Sequence, residues 1–454
     1  MGIGKQDKKI NKITVKGVIE KYDYTIDFTS GSSDLKAVYA ENGHGKTNLL
    51  KLLDYLTSEN QSKFRRIFTI PFKEVCIETT VGKITCFKES KKSCKICTKK
   101  SDELDDLSLN ITFSELEEEF DIDEDLSENS KDTYKKYLFI VNSIESIVGD
   151  VKFLGINRLN DIRSSVTLDR GVRPLIHEEI SLDNSDYILQ KALENLSNAL
   201  IRRVQRASAF SNGRRGSYAQ IVTSLLDDDD QGTQNKIAAK EAMEEKISKI
   251  KNNMELFRKY DVISFNEFSS IADKIKKTQK DDERLKDVAK ILIPYFDSLE
   301  ERIQVMLPTV TLLDNFINTV NKMFSGVEIK YNIRHIRSNF DFVHKIGNNK
   351  VNNFSNIISP GSLSSGEQHL LLLFAQVIMS STRGDTLLLI DEPEISLGIP
   401  WQKVLVKYIK EFSKDSSLQI IMATHSPILL YDYADEDVIM SDRICVDQKE
   451  MNLW

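Results

Sequence analysis

Apolar and polar positions alternate through KITVKGVIEKYDYTIDF near the start of the chain, the period-two pattern of half-buried strands. KAVYA then reads as a strand entering a glycine-bearing loop. KTNLLKLLDYL behind it spaces its apolar residues as a helix does. EVCIETTVGKITCF predicts a hairpin turning at Val-Gly. Residues 98–135 are acidic and poor in aromatics, which predicts a solvated loop or short helices. An apolar helix and a strand return in YLFIVNSIESIVGDVKFLGINRL, with Asn157 and Arg158 where the strand would stop.

Residues 183–325 are long, polar and helix-forming. KALENLSNALIRRVQ, NKIAAKEAMEEKISKIKNNMELFRKY and LEERIQVMLPTVTLLDNFINTVNKMF repeat apolar positions every three or four residues. They predict paired helices projecting as an arm, not a heptad coiled coil, with FSNGRRGS and LLDDDDQG as loops. Strands return at VEIKYNIRHI and FDFVHKI. Leu387–Ile390 is a continuous apolar run suited to a buried strand, and LQIIMATHSP is another strand. The pattern is that of an α/β protein. It divides into 1–182, 183–325 as an inserted helical arm, and 326–454, with the acidic insertion 98–135 inside the first part.

Composition narrows the class. The chain has 454 residues, a net charge of −7 and five cysteines. The negative balance argues against a surface that coats DNA generally. Few cysteines in a long chain suit a reducing compartment, and the expected location is the cytoplasm. The longest apolar run, Leu370–Met379, is too short to span a bilayer, and neither a secretory signal nor a lipidation site reads at the N-terminus.

The chemistry sits in four segments. In AENGHGKTN, Gly43 and Gly45 permit a tight turn with bare amides, and a Cβ at either would meet phosphate oxygens. Asn42, His44 and Asn48 complete this loop. Lys46 suits the β- and γ-phosphates, Thr47 offers a hydroxyl to Mg2+, and the helix that follows aims its N-terminus at the anion. Ala40 stands where such loops usually open on glycine, a position that shapes the turn. In LLLIDEPE, Asp391 at a strand end suits Mg2+ held through water, and Glu392 can orient or deprotonate an attacking water. In LSSGEQ, Ser364, Ser365, Gly366, Glu367 and Gln368 open an apolar helix as a second anion nest; the plain alternative is a serine cap on a core helix. In ATHSP, His425 ends a strand where it can sense a γ-phosphate.

Together these segments resemble the ABC-type ATPase head, in the branch that includes the OLD nucleases and chromosome-repair ATPases: AENGHGKT resembles its Walker A, LSSGEQ its signature, LLLIDEPE its Walker B and ATHSP its switch-histidine segment. Gly398 stands where that branch often has histidine. The resemblance implies a mixed sheet flanked by helices, with ATP and Mg2+ as ligands. Thr47 and Asp391 would serve the metal, and Glu392 and His425 the chemistry. It also implies a homo-oligomer, from a dimer of heads up to a hexamer, in which Ser365 and Gly366 face a neighbour's nucleotide.

OLD proteins carry a nuclease domain after the ATPase, and this chain ends 29 residues past His425. It therefore resembles the standalone anti-phage defence ATPases, the AriA type of PARIS systems and the PtuA type of Septu and retron systems. That implies a separately encoded effector such as a TOPRIM or HNH nuclease, triggered by a phage protein or nucleic acid. The main alternative is a DNA-repair ATPase that tethers ends, which would favour longer coiled coils and a basic face. An interaction module with a structural nucleotide is opposed by the presence of Glu392, and a transporter ATPase by the inserted arm.

Three further features invite weaker readings. Cys76, Cys86, Cys94 and Cys97 lie close in sequence and can form a zinc site, but only one pair has C-x-x-C spacing, which favours a loop with free thiols. Arg202, Arg203, Arg206, Arg214 and Arg215 can grip nucleic acid or simply solvate a helix face, and the acidic run at 115–125 can dock a basic protein or serve no partner.

Overall fold

The computed structural model describes residues 8–31, 33–101, 107–116, 128–155, 185–214, 236–278, 285–331, 340–345, 357–431 and 437–443. In chain order its strands are β1 (Ile10–Val18), β2 (Tyr22–Asp27), β3 (Leu35–Tyr39), β4 (Glu74–Thr79), β5 (Gly82–Ser90), β6 (Ser93–Lys100), β7 (Leu107–Thr112), β8 (Val151–Leu154), β9 (Val327–Tyr331), β10 (Phe340–His344), β11 (Ile357–Ile358), β12 (Leu387–Asp391), β13 (Gln419–Thr424), β14 (Val438–Ile439) and β15 (Asp442–Arg443). The principal helices are α1 (Lys46–Leu56), α2 (Glu128–Val148), α3 (Ser185–Arg214), α4 (Lys236–Lys259), α5 (Asn266–Lys277), α6 (Leu285–Met323), α7 (Ser365–Arg383) and α8 (Ile399–Ser413). The chain forms two compact units, one from Met1–Ile188 with Ser364–Trp454, the other Leu189–Leu363.

The first unit holds two sheets. Seven antiparallel strands run β15-β2-β1-β4-β5-β6-β7. Their inner face collects Ile13, Val15, Ile77, Ile84 and Ile96, which join one core with α1 and α2. The alternation that predicted β1 and β2 is this in-and-out pattern, with Val15 opposite Tyr24 in the ladder. The second sheet is parallel, in the order β14-β3-β13-β12-β8. β12 lies between β13 and β8, so all five of its residues are buried, as its continuous apolar run requires. β13 comes after β12 in sequence yet inserts between β3 and β12, and that placement builds the site. The start of β13 is tied to the start of β1: Ile10 N–H donates to Gln419 Oε1 at 2.7 Å, and Gln419 Nε2 donates to the Ile10 carbonyl at 2.8 Å. Lys36, fully buried on β3, pairs with Asp437 at 2.8 Å and donates to the Ser30 carbonyl at 2.6 Å.

The second unit is helical with a small sheet, β11-β10-β9. α4 lies along α6, where Lys259 and the Tyr260 hydroxyl both donate to Asp314, at 2.6 and 2.7 Å. α6 carries Pro294 and Pro308 inside its length, each removing one ladder donor. Asn321 near its end exchanges two hydrogen bonds with the backbone of Ile329, at 2.7 and 3.0 Å, and fixes β9 against the helix.

Several expectations change. The acidic stretch 98–135 is not all loop: Leu107–Thr112 is a strand, because Leu107, Leu109 and Ile111 keep period two amid the acids, and α2 already begins at Glu128. The C-x-x-C segment is strand β6, not a loop. Thr85 is in register with Cys76 on one side and Cys97 on the other, so these two cysteines share one face, whereas Cys86 and Cys94 take the inner face. Four sulfurs divided between two faces cannot close around one zinc ion. α3 runs on to Arg214, through the first part of the FSNGRRGS segment read as a loop. Arg202, Arg203 and Arg206 lie on that helix. Arg215, Asn157, Arg158, the LLDDDDQG segment and most of the acidic run 115–125 lie outside the described residues. Residues 326–363, grouped with the C-terminal part on sequence, cluster with the long helices.

Candidate functional site

The loop between β3 and α1 turns twice through left-handed backbone, at Gly43 (φ 85°) and Gly45 (φ 79°). A Cβ on Gly45 would stand 2.9 Å from Val18 Cγ1, so the protein's own β1 demands glycine there. A Cβ on Gly43 would meet nothing within 4 Å. The loop is held from below. The Tyr24 hydroxyl donates to the His44 carbonyl at 2.5 Å, the His44 ring stacks on Tyr22 at 4.5 Å, and its Nδ1 lies 3.2 Å from Ser441 Oγ. Burial pushes the Tyr24 phenol up to about 12. Asn42 and Gly43 are exposed at the loop tip, while Thr47 and Asn48 are half-buried in the first turn of α1. Lys46 is buried, and its ammonium donates to the Ala40 carbonyl at 2.6 Å and the Glu41 carbonyl at 3.3 Å. It also pairs with Glu392 Oε1 at 3.8 Å.

β12 delivers two acids to the same edge. Asp391 is almost wholly buried and hydrogen-bonds Thr47; burial raises its pKa despite that bond and the charges of Lys51 and Lys46. Its Oδ1 has no hydrogen-bond partner. An uncompensated buried carboxylate oxygen beside a hydroxyl fits a divalent cation. Thr47 and Asp391 therefore suit Mg2+. Glu392 has φ 45°, a left-handed backbone unusual for a side chain of its size, and its N–H donates to the Ala423 carbonyl at 2.9 Å. That bond ties the residue to β13 and turns its carboxylate toward both Lys46 and His425, whose Nδ1 contacts Glu392 Oε2. Burial, and then the neighbouring Glu394, push the Glu392 carboxyl above its ordinary range, against the opposing pull of His425.

Glu394 was given no role on sequence. It is buried, and its Oε1 accepts from Thr424 Oγ1, from His425 N–H at 3.1 Å and from Ser426 N–H at 3.1 Å. The same oxygen lies 3.3 Å from His425 Nδ1. The only sequence signal was a second acid two residues past Glu392.

The LSSGEQ segment opens α7. Ser364 and Glu367 form a reciprocal cap, with Ser364 N–H donating to Glu367 Oε2 at 2.8 Å and Ser364 Oγ donating to the same oxygen at 2.7 Å. The plain serine cap is thus present, and it coexists with exposed Ser364 and Ser365. Gln368 is buried. Gly366 is buried for an internal reason: a Cβ there would stand 2.5 Å from the Ser396 carbonyl, in the turn after β12. The fold therefore brings Lys46, Thr47, Asp391, Glu392, Glu394 and His425 together, whereas Ser364 and Glu367 close on each other.

Residues 224–430 match the family described as "AAA domain, putative AbiEii toxin, Type IV TA system". The matched range contains the LSSGEQ, LLLIDEPE and ATHSP segments. The match supports an ABC-type ATPase. The glycine loop at 40–47 lies before the matched range. No protein of curated function matches the chain. Among solved structures, the Smc head domain with an extended coiled coil bound to the C-terminal domain of ScpA, from Pyrococcus furiosus, is 15% identical over 96% of both chains, with a TM-score of 0.37. An Smc head domain with a coiled coil and joint from Pyrococcus yayanosii is 14% identical over 96% of this chain and 97% of its own, at 0.37. An Smc head bound to the C-winged helix domain of ScpA is 12% identical, covering 97% and 99%, at 0.36. No helix among the described residues is long and apolar enough to cross a membrane.

Proposed function

We propose that this ATPase binds and hydrolyses ATP with Mg2+, pairs its heads around the nucleotide, and thereby switches a separately encoded effector in anti-phage defence. One observation carries the reading: β13 lies between β3 and β12, so the ends of three strands deliver Lys46, Asp391, Glu392 and His425 to one edge. Ligands of parallel α/β sheets bind at such carboxyl edges. Lys46 and the first amides of α1 would hold the phosphates. Bound Mg2+, held by Thr47 and Asp391, would neutralise charge on the phosphate oxygens. Glu392 would accept the proton of a water whose oxygen attacks the γ-phosphorus as the bond to the bridging oxygen breaks, giving ADP and phosphate. His425, against Glu392, would hold that carboxylate in place.

The toxin and toxin–antitoxin wording of the matched family supports a head that governs a harmful outcome. The net charge of −7 disfavours a general DNA-coating role. The test pairs Lys46→Ala, expected to abolish ATP binding, with Glu392→Gln, expected to bind ATP and lose about 10²–10⁴-fold in turnover. Both variants should lose protection against phage while remaining folded. Full protection by both sinks the defence reading, and salt-sensitive duplex binding that stimulates turnover would favour an end-tethering role instead.

A further inference from the structure

We propose that Glu394 is a positioning residue of the ATPase, holding the turn 424–426 so that the His425 imidazole addresses Glu392. The inference deepens the hydrolytic reading and rests on it for its kinetic arm. Three donors converge on one Glu394 oxygen: the Thr424 hydroxyl and the backbone N–H groups of His425 and Ser426. All three belong to the turn that ends β13. The contact joins positions 30 to 32 apart in sequence, so no local preference of the turn can replace it. Ser426 is fixed a second time, since its hydroxyl donates to Gln402 Oε1 at 2.9 Å while Gln402 Nε2 donates to the Leu397 carbonyl at 2.8 Å.

His425 itself is half exposed on its side chain, whereas Glu394 is buried, so the ring has a solvent side and a fixed side. The fixed side is a carboxylate pair, Glu392 and Glu394, meeting the same ring nitrogen. Glu394 acts through His425 and Glu392.

A glutamine at 394 keeps an oxygen for the three donors and removes the charge, whereas alanine removes both. Glu394→Ala is expected to lower kcat about 10- to 100-fold, with KM for ATP held within about twofold. Glu394→Gln, which keeps an oxygen for the three donors, should restore most of the wild-type rate. Independently of turnover, 15N spectra of histidine-labelled full-length protein, assigned with His425→Asn, should show the His425 ring signals displaced in Glu394→Ala and their titration altered in Glu394→Gln. Wild-type kcat in Glu394→Ala, or His425 signals unchanged in both variants, would overturn the proposal. Should the alanine variant fail to fold, the ring titration of the glutamine variant decides alone. If the wild type turns over no ATP, the hydrolytic reading fails, and the ring signals still judge the positioning.

Discussion

Glu392 pairs a left-handed backbone with a buried carboxylate, and both features cost free energy in the folded chain. Because burial raises Asp391 and Glu392 above the ordinary values of 3.8 and 4.5, their protonated forms favour the fold. That contribution is complete below those values and fades as pH rises through the elevated native ones. For turnover the sign reverses, since the base must be ionised. Activity should fall with an acid limb centred above 4.5, and Glu392→Gln should erase that limb in a pH–rate profile. Gly366→Ala is a purely steric case. Its Cβ would press on the Ser396 carbonyl at 2.5 Å, so a loss of about 1–3 kcal/mol is expected in denaturant melts. Sequence alone points to Lys46, Thr47, Asp391, Glu392 and His425, because each sits at a strand end or helix start with its own local pattern, and the fold gathers them at one edge. Glu394 escaped because its partners lie some thirty residues away. Gly45 and Gly366 answer to Val18 and Ser396 of the same chain, contacts that only tertiary packing reveals.

Elements read best where one period dominated. α1 spans the residues KTNLLKLLDYL as expected, and β12 shows the buried run. β7 was hidden because acidic composition outweighed a six-residue alternation. The cysteine segment differs from its sequence reading for a related reason: as a strand rather than a loop, β6 sends Cys94 and Cys97, three residues apart, to opposite faces. Two elements hang on single side chains. Asp437→Ala would leave Lys36 buried with its main countercharge gone, and a loss of about 3–5 kcal/mol is expected by thermal or denaturant unfolding. Asn321→Ala removes both bonds to Ile329, and amide exchange should speed up in β9 before it does in α4.

For the whole molecule, the proposed pairing of heads makes oligomeric state a function of nucleotide. Glu392→Gln with ATP and Mg2+ should double its mass in light scattering, and Ser365→Arg, at an exposed position opening α7, should prevent the doubling while leaving ATP binding intact. The insertion of β13 between β3 and β12 also governs the molecule's birth. Ile10 must wait for Gln419, 409 positions downstream, before its backbone is satisfied. At about 5–20 residues per second, ribosomes would take roughly 20–80 s to supply that partner. Throughout that interval the β3 edge has no β13 neighbour, and the glycine loop beside it exists without Asp391 and Glu392. On the proposed function, a nascent chain could therefore not hydrolyse nucleotide, and chaperone demand should concentrate on its first two hundred residues.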